Sequence, residues 1–263
     1  MSIETTMKNA PKEWKNMEDF SAGIDGNRLP ATGELAGRTM EFVSETQTIT
    51  MEFGASDLTW SFNGQSGKTP YEAILVDDDT YYIDFVIDIN QGKTLTAFVN
   101  TKTYRAVVCH VYMILKPQPG ETMVQNEWYV GVIKGGEPSG IVPGPSRDLI
   151  GQHAVYRYSP NHLYEHFYIN SERFLWHCLH GEQRGHAAAE YATIYKFCDA
   201  CYLLAWRELL IPTGTVFFLN FKQNRSTGKF VGMHKDGTIA NDPGGAIIQK
   251  ICNVYYPNPI IAI

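Results

Sequence analysis

The sequence contains few charged residues and no long apolar run, and each shortage excludes a class of protein. Only 19% of the 263 residues are charged, whereas disordered chains combine high charge with low hydrophobicity. Lys and Arg form no cluster and the net charge is −6, so we expect no nucleic-acid partner. No apolar run approaches the roughly 20 residues of a membrane-spanning helix, and we expect no membrane partner.

The sequence also shows no pattern typical of a secretion signal. The first residues carry no basic start followed by an apolar core. The chain has five cysteines, an odd number that favours free thiols in a reducing compartment when no signal accompanies it. We therefore expect a cytoplasmic protein.

Long helical periodicity is absent, and short strand-like segments occupy the chain instead. Runs rich in Thr, Val, Ile, Phe and Tyr alternate with turn clusters such as NGQSG (63–67) and NQG (90–92). Turn signals about every 8–12 residues are typical of an antiparallel sandwich or barrel. The Gly- and Pro-rich segment 135–146 is predicted to be a linker, and the polar residues 1–30 are predicted to be an irregular arm with a short helix near Lys12–Phe20.

The two halves of the chain resemble each other. GELAGRTM (33–40) parallels RDLIGQHA (147–154) at an offset of 114 (147 − 33). YEAILVDDDTYYIDFVID (71–88) parallels YATIYKFCDACYLLAWRE (191–208) at an offset of 120 (191 − 71). Collinear blocks of this kind indicate two copies of one unit.

Each copy has about eight strand-like runs, a number that closes into a small barrel whose interior holds one small ligand. Closure also removes the exposed sheet edges that a sandwich retains. We therefore predict an all-β fold of two tandem antiparallel β-barrels, at residues 31–134 and 147–263.

Two pairs of residues mark the second copy as the functional one. Tyr156 and Tyr158 are two positions apart on a predicted strand and so share a face, as do Trp206 and Glu208 on a later strand. Apolar surroundings raise the pKa of a carboxyl group toward neutrality, which suits Glu208 to proton transfer. The tyrosine hydroxyls can hold an anionic group, and the indole can stack on a flat ring. The simpler alternative, that the two tyrosines only fill the barrel, stays open.

The first copy lacks these pairs. At the offsets above, Phe42 and Ser44 stand where the second copy has its two tyrosines, while Val86 and Asp88 correspond to Trp206 and the acidic residue after it. The pattern therefore predicts an active site in the C-terminal barrel.

The residues also carry a family resemblance. KEWKNMEDFSAGIDGNRLP near the start, LAGRTM after it and DLIGQHAVYRY in the second half resemble the MoaF family. Members of this family carry tandem MoaF N-terminal and C-terminal domains, and the resemblance covers nearly the whole chain. The family bears the label "molybdenum cofactor biosynthesis protein F", but no residues here predict a molybdopterin site, and we expect no cofactor.

The C-terminal half is similar to phenolic acid decarboxylases, which are small lipocalin-like barrels without a cofactor. LIGQHAVYRY (149–158), WRE (206–208), PTG (212–214) and LNF (219–221) match motifs of that family in order. The resemblance implies two lipocalin-like barrels and catalytic roles for Tyr156, Tyr158 and Glu208.

Substrate-binding residues follow from the same resemblance. Trp206 is the stacking candidate, and the family's catalytic arginine lies in a Gly-rich turn. HGEQRGHAA (180–188) occupies that region here, so Arg184 or His186 takes the role, although neither aligns cleanly. His177 is a further substrate-binding candidate.

A metal site is not predicted. The spacing of His177, Cys178, His180, Cys198 and Cys201 does not match a zinc finger or ribbon. Residues three apart on one strand face opposite sides, so the last two cysteines diverge unless a turn lies between them.

The sequence thus predicts a cofactor-independent acid/base enzyme, a decarboxylase-like lyase or an isomerase, acting on a small aromatic or unsaturated compound. Two alternatives remain: a non-catalytic carrier or sensor of a small hydrophobic ligand, and a structural protein whose barrels are filled by side chains. A homodimer is compatible with the resemblance, because related barrels often dimerise.

Overall fold

The computed structural model describes residues 14–256. These residues form two closed β-barrels joined in tandem, with one short helix, α1 (Met17–Phe20), near the start. The prediction of an all-β fold with two antiparallel barrels is confirmed. None of the described helical segments has the length and apolarity required to cross a bilayer.

The N-terminal barrel is an up-and-down meander of eight strands in which each strand pairs with the next. The first and last strands close it by pairing Phe42 with Ile133. Its strands are β1 (Thr39–Ser44), β2 (Thr48–Phe53), β3 (Asp57–Phe62), β4 (Gln65–Asp77), β5 (Thr80–Asp88), β6 (Lys93–Asn100), β7 (Arg105–Met113) and β8 (Val124–Ile133).

The C-terminal barrel has the same order of eight strands, and a two-residue strand, β9 (Gly144–Pro145), adds to its outside. Its first and last strands pair Tyr156 with Ile248. Its strands are β10 (Gln152–Ser159), β11 (His162–Tyr168), β12 (Arg173–His180), β13 (Ala187–Cys198), β14 (Cys201–Arg207), β15 (Thr213–Asn220), β16 (Arg225–Met233) and β17 (Ile239–Asn253).

One repeated turn shows how closely the two barrels correspond. Gly37 N–H donates to Phe53 O at 2.7 Å, and Gly151 N–H donates to Tyr168 O at 2.8 Å. Both glycines have positive φ, 80° and 86°, a backbone conformation that glycine adopts without steric cost.

Burial patterns identify the face where the barrels meet. Strands on the outer sides alternate buried residues with exposed or partly buried ones, as in β2 and β11. β7 and β15 are instead buried on both faces over most of their length, because one face lines a lumen and the other packs on the second barrel. Val107, Phe98, Leu203 and Phe218 belong to this interface core.

The N-terminal arm packs on the C-terminal barrel. Met17, Phe20 and Ile24 are buried in the core of that barrel. Asn27 N–H donates to Tyr158 O at 2.8 Å and so fixes the chain to β10. The arm therefore covers one mouth of the barrel that the sequence marks as functional.

Candidate functional site

A cavity lies inside the C-terminal barrel, beneath the N-terminal arm. The space inside it that is wide enough for water is about 20 Å³, which is room for about one water molecule. Its wall is mostly aromatic. The lining residues are Phe20, Ile24, Tyr158, Tyr164, His166, Trp176, Gln183, Trp206, Glu208 and Phe230.

Glu208 places a carboxyl group in this cavity. It follows β14 directly, and its N–H donates to Thr213 O at 2.9 Å, so the backbone is fixed as the strand turns toward β15. The residue is only 5% exposed. Burial, and then the nearby Glu190 carboxyl, raise the pKa of Glu208 well above its usual value. The indole N–H of Trp206 lowers this pKa in part, but neither Nε1 nor Oε2 completes a hydrogen bond.

Glu190 carries another buried carboxyl group, which raises the pKa of Glu208, and the sequence-based candidates did not include it. It lies on β13, is 1% exposed, and accepts a hydrogen bond from Leu209 N–H at 2.8 Å. Burial raises the pKa of Glu190 to about 7. The sequence signal that could have identified it is the two-residue spacing of Glu190, Ala192 and Ile194, which places all three on the buried face of one strand. Two adjacent carboxyl groups of raised pKa can exchange and store a proton.

The two predicted tyrosines differ in role. Tyr158 lines the cavity, where it contacts Tyr164 and Phe217 edge-on. Tyr156 is fully buried behind the wall, and its hydroxyl pairs with the Tyr168 hydroxyl at 2.8 Å. Burial raises the pKa of both predicted tyrosines well above the usual value, so both stay neutral hydrogen-bonding groups.

β11 supplies two further cavity residues that sequence reasoning missed. Tyr164 donates its hydroxyl proton to Gln183 Oε1 at 2.9 Å. His166 stacks on Tyr156 with 4.0 Å between ring centroids, and burial lowers its pKa to about 3, so its imidazole is neutral. Along this strand every second residue points inward, and the sequence signal is the alternation His162, Tyr164, His166, Tyr168.

Trp206 forms the flat wall that its sequence position suggests. Its ring is parallel to that of Phe217, 7° apart in plane and 5.4 Å between centroids. It also meets His166 edge-on at 5.7 Å. A planar ligand in the cavity would contact this aromatic surface.

Three other predicted residues lie outside the cavity. Arg184 is exposed and lines a separate outer groove beside His162 and His180. His186 lies beneath the arm, where Trp14 stacks on its ring at 4.7 Å. His177 points outward and contacts the Glu165 carboxylate through Nδ1 at 2.7 Å.

The cavity is lined by uncharged hydrogen-bond donors, and several of its polar atoms have no hydrogen-bond partner. None of the lining side chains is Lys or Arg. Five of them carry a buried polar atom with no hydrogen-bond partner among the described residues, although buried polar groups are normally paired. These atoms are His166 Nδ1, Trp176 Nε1, Gln183 Nε2, Trp206 Nε1 and Glu208 Oε2. These atoms leave hydrogen-bonding capacity unused around a cavity that has room for about one water molecule.

The equivalent positions of the N-terminal barrel lack this arrangement. Phe42 is fully buried and apolar, and Asp88 accepts a hydrogen bond from Asn90 N–H at 3.0 Å at the end of its strand. The turns before β5 and β14 correspond at an offset of 121 (201 − 80). Phe85 and Ile87, each one residue earlier than the sequence comparison indicates, are therefore the counterparts of Trp206 and Glu208, and Asp88 is not the counterpart of Glu208.

Known proteins resemble the chain over most of its length. Residues 12–113 match the MoaF N-terminal domain, and residues 143–254 match the MoaF C-terminal domain. Protein MoaF from Klebsiella aerogenes is 31% identical over 246 residues, which cover 87% of this chain and 90% of that protein.

Among solved structures, a protein from Burkholderia vietnamiensis described as a "putative beta-lactamase" is 13% identical, and the match covers 39% of this chain and 95% of that chain. Its TM-score of 0.33 is too low to inform fold or activity. The two domain matches and the full-length relative agree with the tandem barrels observed. The chain belongs to the MoaF family.

Proposed function

We propose that the C-terminal barrel is a cofactor-independent acid/base site for a small aromatic or conjugated compound, with Glu208 as the proton donor. The observation that carries this proposal is the buried carboxyl group of raised pKa facing an aromatic cavity. A carboxyl group that stays neutral near pH 7 can give its proton to a substrate.

The surrounding residues support this chemistry in separate ways. The Trp206 ring provides a stacking surface for a flat substrate. The hydroxyl of Tyr158 and the indole N–H groups of Trp176 and Trp206 are neutral donors that can stabilise negative charge developing on a substrate oxygen. Glu190 can return a proton to Glu208 after transfer. Decarboxylation and isomerisation both require proton transfer to the substrate and stabilisation of the negative charge that develops on it.

The reaction class is tested with a panel of hydroxycinnamic and related unsaturated acids, followed by ultraviolet spectra and CO2 release. Loss of the conjugated acid band with CO2 release identifies a decarboxylase. A spectral change without CO2 identifies an isomerase or another lyase.

The role of Glu208 is tested with Glu208→Gln. Removing a general acid lowers kcat/KM by about 10²–10⁴-fold, while the circular dichroism spectrum should stay unchanged. Glu182→Gln is the matched control, because Glu182 is exposed in the outer groove beside the same barrel mouth. Unchanged turnover in Glu208→Gln would refute the proposed role.

A ligand carrier is the second candidate, and closure of the cavity by Phe20 and Ile24 favours it. A carrier encloses its ligand and releases it by opening. It predicts a ligand that remains bound through purification, no turnover of any acid in the panel, and equal ligand binding by Glu208→Gln.

A further inference from the structure

Three metal-ligating side chains from both barrels converge at the interface, away from the cavity. Asp77 ends β4 of the N-terminal barrel, and Cys198 and Cys201 flank the turn between β13 and β14 of the C-terminal barrel. Asp77 Oδ2 lies 3.9 Å from Cys198 Sγ and 3.6 Å from Cys201 Sγ. One donor atom from each residue lies within 4.8 Å of the others.

A tight turn brings the two cysteines together. Cys198 and Cys201 pair directly across it, and Ala200 inside the turn has a positive φ of 54°. The rule that residues three apart face opposite sides applies within a strand, and here the intervening turn reverses it. The two side chains therefore converge, as the sequence rule allows when a turn lies between them.

The repeat explains why an aspartate from the other barrel meets them. The turn between β4 and β5 pairs Asp77 with Thr80, as the later turn pairs Cys198 with Cys201. The offset is again 121 (198 − 77). Equivalent turns of the two barrels thus meet at the interface, and they contribute different donors.

The distances suit a tetrahedral zinc ion. Zinc–sulfur bonds of about 2.3 Å and zinc–oxygen bonds of about 2.1 Å give a sulfur–oxygen separation of roughly 3.6 Å around a tetrahedral ion. The two observed sulfur–oxygen distances are 3.6 and 3.9 Å. Thiolate sulfur with one carboxylate is a donor set that zinc accepts.

A second layer of contacts orients the aspartate. Asn220 donates from Nδ2 to Asp77 Oδ1 at 3.0 Å, which leaves Oδ2 facing the thiols. Asn220 is itself fixed, because its Oδ1 accepts hydrogen bonds from Lys222 N–H and Gln223 N–H, each at 3.0 Å. Outer contacts of this kind hold the ligands of many metal sites in position.

The ammonium group of Lys222 supplies the positive charge beside Asp77 when no metal ion is bound. Its ammonium group contacts Asp77 Oδ2, and its side chain is 45% exposed, so it can swing into solvent when a cation binds.

We propose that Asp77 Oδ2, Cys198 Sγ and Cys201 Sγ bind one Zn²⁺ that bridges the two barrels, with water as the fourth ligand. Binding releases the thiol protons and displaces the Lys222 ammonium group. This proposal is independent of the chemistry in the C-terminal lumen.

The test is a titration of the full-length, metal-free and chemically reduced protein with Co²⁺, followed by displacement with Zn²⁺. We expect one equivalent of Co²⁺ to produce thiolate-to-cobalt charge-transfer absorption and the visible bands of a tetrahedral ion. Cys201→Ser removes a ligand and should weaken binding by more than about 100-fold, beyond the effect of losing an outer contact.

Matched variants separate the site from general thiol or carboxylate binding. Cys252→Ser removes an exposed thiol elsewhere, and Asp78→Asn removes the exposed neighbour of Asp77. Both should bind like the wild type, whereas Asp77→Asn should bind more weakly and Lys222→Gln more tightly. Equal affinity in wild type and Cys201→Ser would overturn the proposal. Failure of the reduced wild-type protein to bind Co²⁺ would also overturn it.

Discussion

The two barrels have the same order of strands but different interiors. On the second strand of the C-terminal barrel, Tyr164, His166 and Tyr168 point inward. The paired registers place Ile49 and Phe53 where that barrel has Tyr164 and Tyr168. One lumen is therefore filled with apolar side chains at positions where the other holds polar ones.

The N-terminal barrel also contains buried polar groups. His110 is buried beside Phe62, and Tyr81 donates to Glu34 at 2.7 Å. Its middle is a continuous apolar core that includes Met51 and Trp60. Unpaired buried polar groups destabilise a fold. Among the described residues, the N-terminal barrel contains His110, whose two ring nitrogens have no hydrogen-bond partner, whereas five residues around the C-terminal cavity carry such an atom. Under the proposed function, a ligand would satisfy the unpaired groups around the C-terminal cavity.

The largest expected effect comes from truncating equivalent aromatic residues, Phe85 and Trp206. Each is at most 4% exposed, so either change to Ala should lower the free energy of unfolding by about 3–5 kcal/mol. Guanidinium denaturation measures this loss. Only Trp206→Ala should also abolish ligand binding by the folded protein. Equal loss of affinity in folded Phe85→Ala would show that the N-terminal barrel takes part in binding.

The buried carboxyl pair of the C-terminal barrel should make the free energy of unfolding depend on pH, and the N-terminal barrel has no matching pair in its lumen among the described residues. Glu190 has a pKa of about 7 when folded and 4.5 as its ordinary value. Between these pH values the folded state holds more protons, so its stability falls as pH rises, by about 3 kcal/mol in total. Glu190→Gln should remove this decline, so its stability relative to wild type rises between pH 4.5 and 7.

Urea denaturation across this range measures the difference. Asp88→Asn in the N-terminal barrel is the control, because that carboxylate caps a turn at the barrel end. A wild-type curve parallel to that of Glu190→Gln would contradict the assigned pKa.

A smaller effect is expected from the tyrosine pair behind the cavity. Tyr156→Phe leaves the Tyr168 hydroxyl buried without its partner at 2.8 Å, which should cost about 1–2 kcal/mol of unfolding free energy. Changing both residues to Phe reproduces the Phe42 and Phe53 pair of the N-terminal barrel. The double variant should therefore lose less than the sum of the single changes, and additive losses would argue against the hydrogen bond.

Much of the fold follows from the sequence, because turn residues and the internal repeat constrain a meander strongly. The site was predicted in part. Tyr158, Trp206 and Glu208 meet in one cavity because alternation along a strand fixes the face of each side chain. Tyr156 shares the face of Tyr158 but lies deeper, and burial depth has no signal in residue spacing.

Some sequence predictions failed because a shift of one residue along a strand moves a side chain to the opposite face. Trp176 points inward and His177 outward, and a shift of one residue would exchange them. The same single-residue slip replaces Phe85 by Val86 as the counterpart of Trp206. Arg184 lies in a loop, whose path depends on tertiary contacts. Glu190 was missed because carboxylates are rare inside apolar strands.

The smallest expected effect concerns the arm, which covers the C-terminal barrel. Lys235 holds α1 through Asp19 at 2.8 Å, and Lys134 forms a similarly exposed ion pair with Glu41 on the N-terminal barrel. Changing either lysine to Ala should cost less than about 1 kcal/mol, because exposed ion pairs contribute little. Only Lys235→Ala should speed hydrogen exchange of the arm amides, since its ion pair contacts α1 directly, whereas that of Lys134 lies on the N-terminal barrel. Faster ligand association in the same variant would make arm opening the route into the cavity, whereas unchanged exchange would show that burial of Met17 and Phe20 alone holds the arm closed.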